Sequence, residues 1–81
     1  MHGETFRLTP TTGYAEGYIL LIKANATEGF RSSLLGLPHV LRLMEGQGSR
    51  LIFEANPLFN AEEISAAIAP VVEDLLAGRL G

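Results

Sequence analysis

Val40-Leu41-Arg42-Leu43-Met44-Glu45-Gly46-Gln47-Gly48-Ser49-Arg50-Leu51-Ile52-Phe53-Glu54-Ala55 reads as two strands joined by a polar turn. The flanks are rich in branched and aromatic residues, and the four residues between them are small or polar. That pattern specifies a hairpin. Closing the turn with Glu45 opposite Arg50 sets Met44 opposite Leu51, Leu43 opposite Ile52 and Arg42 opposite Phe53. One face of the hairpin then carries Val40, Met44, Leu51, Phe53 and Ala55, interrupted by Arg42. The other carries Leu41, Leu43 and Ile52 among Glu45, Arg50 and Glu54. A step of one residue exchanges the two faces, so the register decides what is buried.

Upstream, Phe30, Leu34 and Leu37 recur at the spacing of one helix face. Asn25-Ala26-Thr27-Glu28 supplies the start, because Asn and Thr oxygens accept from the first free N–H groups of a helix. Gly36 and Pro38 end it. Before it, Thr5 to Thr9 alternates polar and apolar, Pro10-Thr11-Thr12-Gly13 has turn chemistry, and Tyr14 to Ala24 contains the run Tyr18-Ile19-Leu20-Leu21-Ile22. A first hairpin closed on Pro10 to Gly13 sets Arg7 opposite Glu16. Phe6, Leu8, Ala15, Ile19 and Leu21 then share one face, and Tyr14, Tyr18, Leu20 and Ile22 the other.

Downstream, Asn56-Pro57 ends the last strand. Asn60 with Glu63 has the spacing of a capping box, and Phe59 with Ile64 that of a hydrophobic staple. Ile64, Ile68, Val71, Val72, Leu75 and Leu76 form the apolar stripe of a second helix. Pro70 inside it predicts a kink or a break, and Gly78 a stop. A short echo links Ile22-Lys23-Ala24-Asn25 with Phe53-Glu54-Ala55-Asn56, each closing a strand before a helix.

The order is ββαββα, and the expected fold is α+β: a two-layer sandwich of a mostly antiparallel four-stranded sheet with two helices on one face. With 81 residues, about half the usual size of a domain, the chain is expected to form one domain over 1–81, with a frayed tail over 1–4. Hydrophobic residues make up 47% and charged residues 19%, with a mean hydropathy of +0.22, a composition that excludes disorder. The longest unbroken apolar run is Tyr18 to Ile22, far short of the roughly 20 residues of a membrane span, so no membrane partner is expected. The net charge is -3, and the cations at Arg7, Lys23, Arg31, Arg42, Arg50 and Arg79 form no stripe in sequence, so no nucleic-acid partner is expected. With no secretory signal pattern and no cysteine, a cytoplasmic location is expected.

The chemistry-bearing residues are sparse. Glu62-Glu63 and Glu73-Asp74 are neighbours about 100° apart on a helix and do not converge as metal ligands. No serine lies in a Gly-x-Ser-x-Gly elbow. Gly46-Gln47-Gly48 sits between strands, whereas a dinucleotide fingerprint needs a third glycine and a following helix. His2 lies in the tail and His39 at a strand start without an orienting carboxylate. Arg42 either packs its stem and lifts its head to water or reaches an anion or carboxylate. No cofactor, metal or catalytic residue is therefore expected.

The remaining signal is an apolar face. Two helices cover one side of such a sheet, and a large apolar patch on the other is unusual for a monomer. The expectation is a small non-catalytic binding or regulatory module, with another protein or a second copy of itself as partner. Its contact surface is read as Tyr18, Leu20, Ile22, Leu41, Leu43 and Ile52, rimmed by Glu45 and Arg50. On that reading Leu43→Glu dissociates the assembly and spares the monomer. Other readings are a small-ligand or anion binder, or an enzyme accessory subunit, with a cleft near His39 and Arg42. One helix on each face, or a register shifted by one residue, removes the free apolar face.

Overall fold

The computed structural model describes residues 5–11 and 17–80. Six elements follow in the expected order: β1 (Phe6–Pro10), β2 (Gly17–Ile22), α1 (Glu28–Leu35), β3 (Val40–Glu45), β4 (Arg50–Ala55) and α2 (Ala61–Leu76). The strands form one sheet in the order β1-β2-β4-β3, and every neighbouring pair is antiparallel. Each half of the chain is a ββα unit. Their second strands, β2 and β4, lie side by side at the sheet centre, and β1 and β3 form the edges.

The caps follow from local chemistry. The Thr27 side chain accepts from the Phe30 N–H and starts α1. Its hydroxyl also donates to the Leu80 carbonyl at 2.8 Å, tying the end of the described chain to the start of α1. Gly29 allows this approach, because a Cβ there would collide with the Leu80 carbonyl oxygen. At α2, Asn60 and Glu63 complete the reciprocal capping box: the Glu63 N–H donates to Asn60 Oδ1, and the Asn60 N–H donates to Glu63 Oε1. Gly78 follows the α2 C-cap, Ala77, with φ +79, the left-handed conformation that glycine adopts without steric cost.

Pro70 does not break α2, which runs unbroken to Leu76. Proline cannot donate to the carbonyl of Ala66, but both residues lie on the exposed side, where water can satisfy that carbonyl. The four-residue echo is not in structural register. It aligns Ile22 with Phe53, whereas the fold matches Gly17–Ile22 with Arg50–Ala55 and the helix caps Thr27 with Asn60.

One core lies between the helices and one side of the sheet. Phe6, Leu20, Ile22, Val40, Leu51, Phe53 and Ala55 from the strands meet Phe30 and Leu34 of α1 and Ile64, Ile68, Ala69, Val72 and Leu75 of α2. Among the described residues no polar or charged residue is buried, so this layer rests on apolar burial without an internal polar network. Arg31 secures its margin: its guanidinium donates to the Gly46 carbonyl at 3.0 Å and the Ala26 carbonyl at 3.4 Å, joining α1 to the end of β3.

Candidate protein-docking face

The pairing of β1 with β2 departs from the expected register. Arg7 lies opposite Leu21, Phe6 opposite Ile22 and Leu8 opposite Leu20. The tight turn on Pro10 to Gly13 gives way to a longer connection, and the pairing moves by five residues. An odd shift exchanges the faces. Phe6 and Leu8 now stand on the same side as Tyr18, Leu20 and Ile22, which gives the helices a continuous apolar surface to cover. Tyr14, Ala15 and Glu16, assigned to this hairpin from sequence, lie outside the described residues, as do His2 and the expected tail.

β3 also departs from simple alternation. Val40 pairs with Ala55, Arg42 with Glu54, Leu43 with Phe53 and Glu45 with Ile52, with register shifts between Val40 and Arg42 and between Leu43 and Glu45. Each shift inserts one residue into β3 relative to β4. Val40 and Leu43, three positions apart, thereby both reach the core side, while Leu41, Arg42, Met44 and Glu45 fall outside it.

These registers correct the expected contact surface. Leu20 is fully buried and Ile22 is 7% exposed, both beneath the helices. Tyr18 stacks on Phe53 on the core side, ring centroids 5.8 Å apart. Leu43 is half-buried against the core, so Leu43→Glu presses a carboxylate on the hydrophobic layer and does not spare the monomer. Leu41, Ile52, Glu45 and Arg50 keep their expected place away from the core. Ile19, Leu21 and Met44, which the sequence reading missed, join them. A run of five consecutive apolar residues has no period from which to read which members face outward.

The helix-free face can be built row by row from the pairing. One row is Arg7–Leu21–Arg50, the next is Thr9–Ile19–Ile52–Glu45, and the third holds Gly17, Glu54 and Arg42. Ile19 and Ile52 stand side by side at the centre, both half-buried by their neighbours. Leu21 is 37% and Leu41 52% exposed. Arg42 Nε donates to Glu54 Oε1 at 2.8 Å, so the Arg42 head meets a carboxylate of its own chain. The Arg50 and Glu45 side chains come within 3.6 Å, beyond hydrogen-bond reach. Both pairs are solvent-exposed and contribute at most about 1 kcal/mol each. The centre is therefore apolar, one end carries Arg7 and Arg50 with Glu45 near Arg50, and the other carries the Glu54–Arg42 pair.

His39 and Arg42 do not share a cleft. The His39 ring lies 4.0 Å from that of Phe59, which packs against the core on the helix side, while Arg42 projects from the opposite face. The His39 carbonyl accepts from the Asn56 N–H, and Asn56 Nδ2 donates to the Pro38 carbonyl. His39 thus sits where β3 and the segment after β4 are tied together, with its Nδ1 buried and unpartnered among the described residues. Glu62 and Glu63 occupy the first turn of α2, Glu63 as part of its cap, and Asp74 pairs with Arg79 at 2.7 Å. Among the described residues no three His, Asp or Glu side chains form a metal-binding group, and no helix is long and apolar enough to cross a membrane. No family model, curated protein or solved structure matches the chain.

Proposed function

We propose that this chain is a non-catalytic protein-docking module whose working surface is the helix-free face of its sheet. The observation that carries this reading is the apolar group of Ile19, Leu21, Ile52, Leu41 and Met44 on a face that neither helix covers. A sheet side that no described element covers more often alternates to polar residues. Here the two central strands keep isoleucine and leucine outward, with charges at the margins. Such an apolar centre with a polar rim is the anatomy of a protein–protein interface.

The test is Leu21→Lys, with Leu58→Lys as control. Leu58 is 83% exposed in the loop before α2, away from the proposed surface. Both variants are expected to keep the wild-type unfolding free energy to within about 0.5 kcal/mol. The reading predicts that self-association by light scattering, and capture of proteins from a cell extract, are lost with Leu21→Lys and kept with Leu58→Lys. Self-association or capture that survives Leu21→Lys unchanged, or the absence of both from every form of the chain, contradicts it.

A further inference from the structure

We infer that the occupant of this face is a second copy of the same chain, packed sheet to sheet about a two-fold axis running across the strands over Ile19 and Ile52. The inference rests on the docking reading and adds the partner and its orientation. Its basis is the distribution of charge along β4. Arg50 and Glu54 lie two positions either side of Ile52 and on the same face. A two-fold axis across the strands at Ile52 sets Ile52 over Ile52 and Ile19 over Ile19, and it brings Arg50 of each copy over Glu54 of the other. One symmetric contact thus makes two opposite-charge pairs.

The alternative axis, along the strands between β2 and β4, gathers Arg7 and Arg50 of both copies at one end and both Glu54 side chains at the other. Arg42 offsets Glu54 at its end, so that arrangement crowds like charge at the basic end and forms no Arg50–Glu54 pair between copies. The groups needed for the first arrangement have capacity to spare. Arg42 occupies one oxygen of Glu54, leaving the other to accept, and Arg50 is not hydrogen-bonded to Glu45 at 3.6 Å. Glu45 lies at the β3 edge of the axis row, so the same axis sets Glu45 over Glu45 of the other copy, one like-charge contact at the solvated rim, where water and salt screen it and Arg50 lies beside it.

Strand spacing and rise give the face a span of roughly 19 by 17 Å. Two copies together bury roughly 650 Å2, at the small end of weak, reversible interfaces. The dimer is therefore expected to dissociate in the micromolar range and to weaken with added salt.

The experiment measures molar mass by light scattering over a wide concentration range for the wild type, Arg50→Glu, Glu54→Arg and an equimolar mixture of the two variants. Arg50→Glu sets Glu against Glu in its own dimer, and Glu54→Arg sets Arg against Arg. Each alone is expected to associate at least about tenfold more weakly than the wild type. In the mixture both cross-contacts are opposite in charge, so association returns as a heterodimer, which also shows that both variants are folded. A wild type that stays monomeric, single variants that associate like the wild type, or a mixture that fails to restore association each overturns the inference. If Leu21→Lys still abolishes association or capture in those cases, the docking reading stands and only the partner or axis falls. If Leu21→Lys changes nothing, both fall.

Discussion

Phe53→Ala is expected to lower the unfolding free energy by about 3–5 kcal/mol, the cost of emptying a fully buried aromatic site. A domain of 81 residues has about 4–12 kcal/mol in total, so the variant is expected to lose roughly a quarter or more of its stability. The effect is large because Phe53 stands at a junction. It is 0% exposed, it lies opposite Tyr18 on β2 and Leu43 on β3, and it stacks on the Tyr18 ring. Its neighbours cannot close the space, since β4 is hydrogen-bonded on both sides and the helix layer lies across it. Phe53→Leu keeps most of the volume and is expected to cost under about 1.5 kcal/mol. Urea unfolding of the two variants checks the difference. A loss under about 1 kcal/mol for Phe53→Ala would mean that its side chain is not in the core.

Leu20→Ala and Leu21→Ala differ by one position and by one face. The register predicts a loss of about 2–5 kcal/mol for Leu20, which is fully buried, and a change within about 0.5 kcal/mol for Leu21 in the dilute monomer. The register expected from sequence, with Ile19 and Leu21 inward and Leu20 outward, predicts the reverse order. Denaturant midpoints at low protein concentration separate the two, and a larger loss at Leu21 would restore the tight first hairpin.

Where the sequence was legible, short-range chemistry decided the outcome. The second hairpin has the predicted bounds because its turn residues sit directly between the strands, with Gly48 at φ +72 in the connection. The starts of α1 and α2 follow from Thr27, Asn60 and Glu63, whose side chains bond N–H groups only three residues away. The fold class follows from the order of these elements.

The face assignment is a long-range property, and there local patterns ran out. Tyr18 to Ile22 is apolar throughout, so alternation gives no parity. The turn residues Pro10 to Gly13 suggested a tight closure that the pairing of Arg7 with Leu21 replaces. In β3 the inserted residues make Val40 and Leu43 partners on one side, a change of phase that hydrophobicity at Leu41, Leu43 and Met44 does not reveal. Of the residues read as a contact surface, Leu41, Glu45, Arg50 and Ile52 lie on the helix-free side, whereas Tyr18, Leu20, Ile22 and Leu43 face the core.

The most direct test of the helix-free, self-associating face is thiol labelling of Leu21→Cys across protein concentration, with Leu58→Cys as reference. The native chain has no cysteine, so each variant reports one site. The expected result is rapid labelling of Leu21→Cys in dilute solution, slowing as concentration rises and dimers cover the face, while Leu58→Cys labels rapidly throughout. Slow labelling of Leu21→Cys at every concentration would mean that the chain covers this face itself. Equally rapid labelling at every concentration would mean that no second copy does.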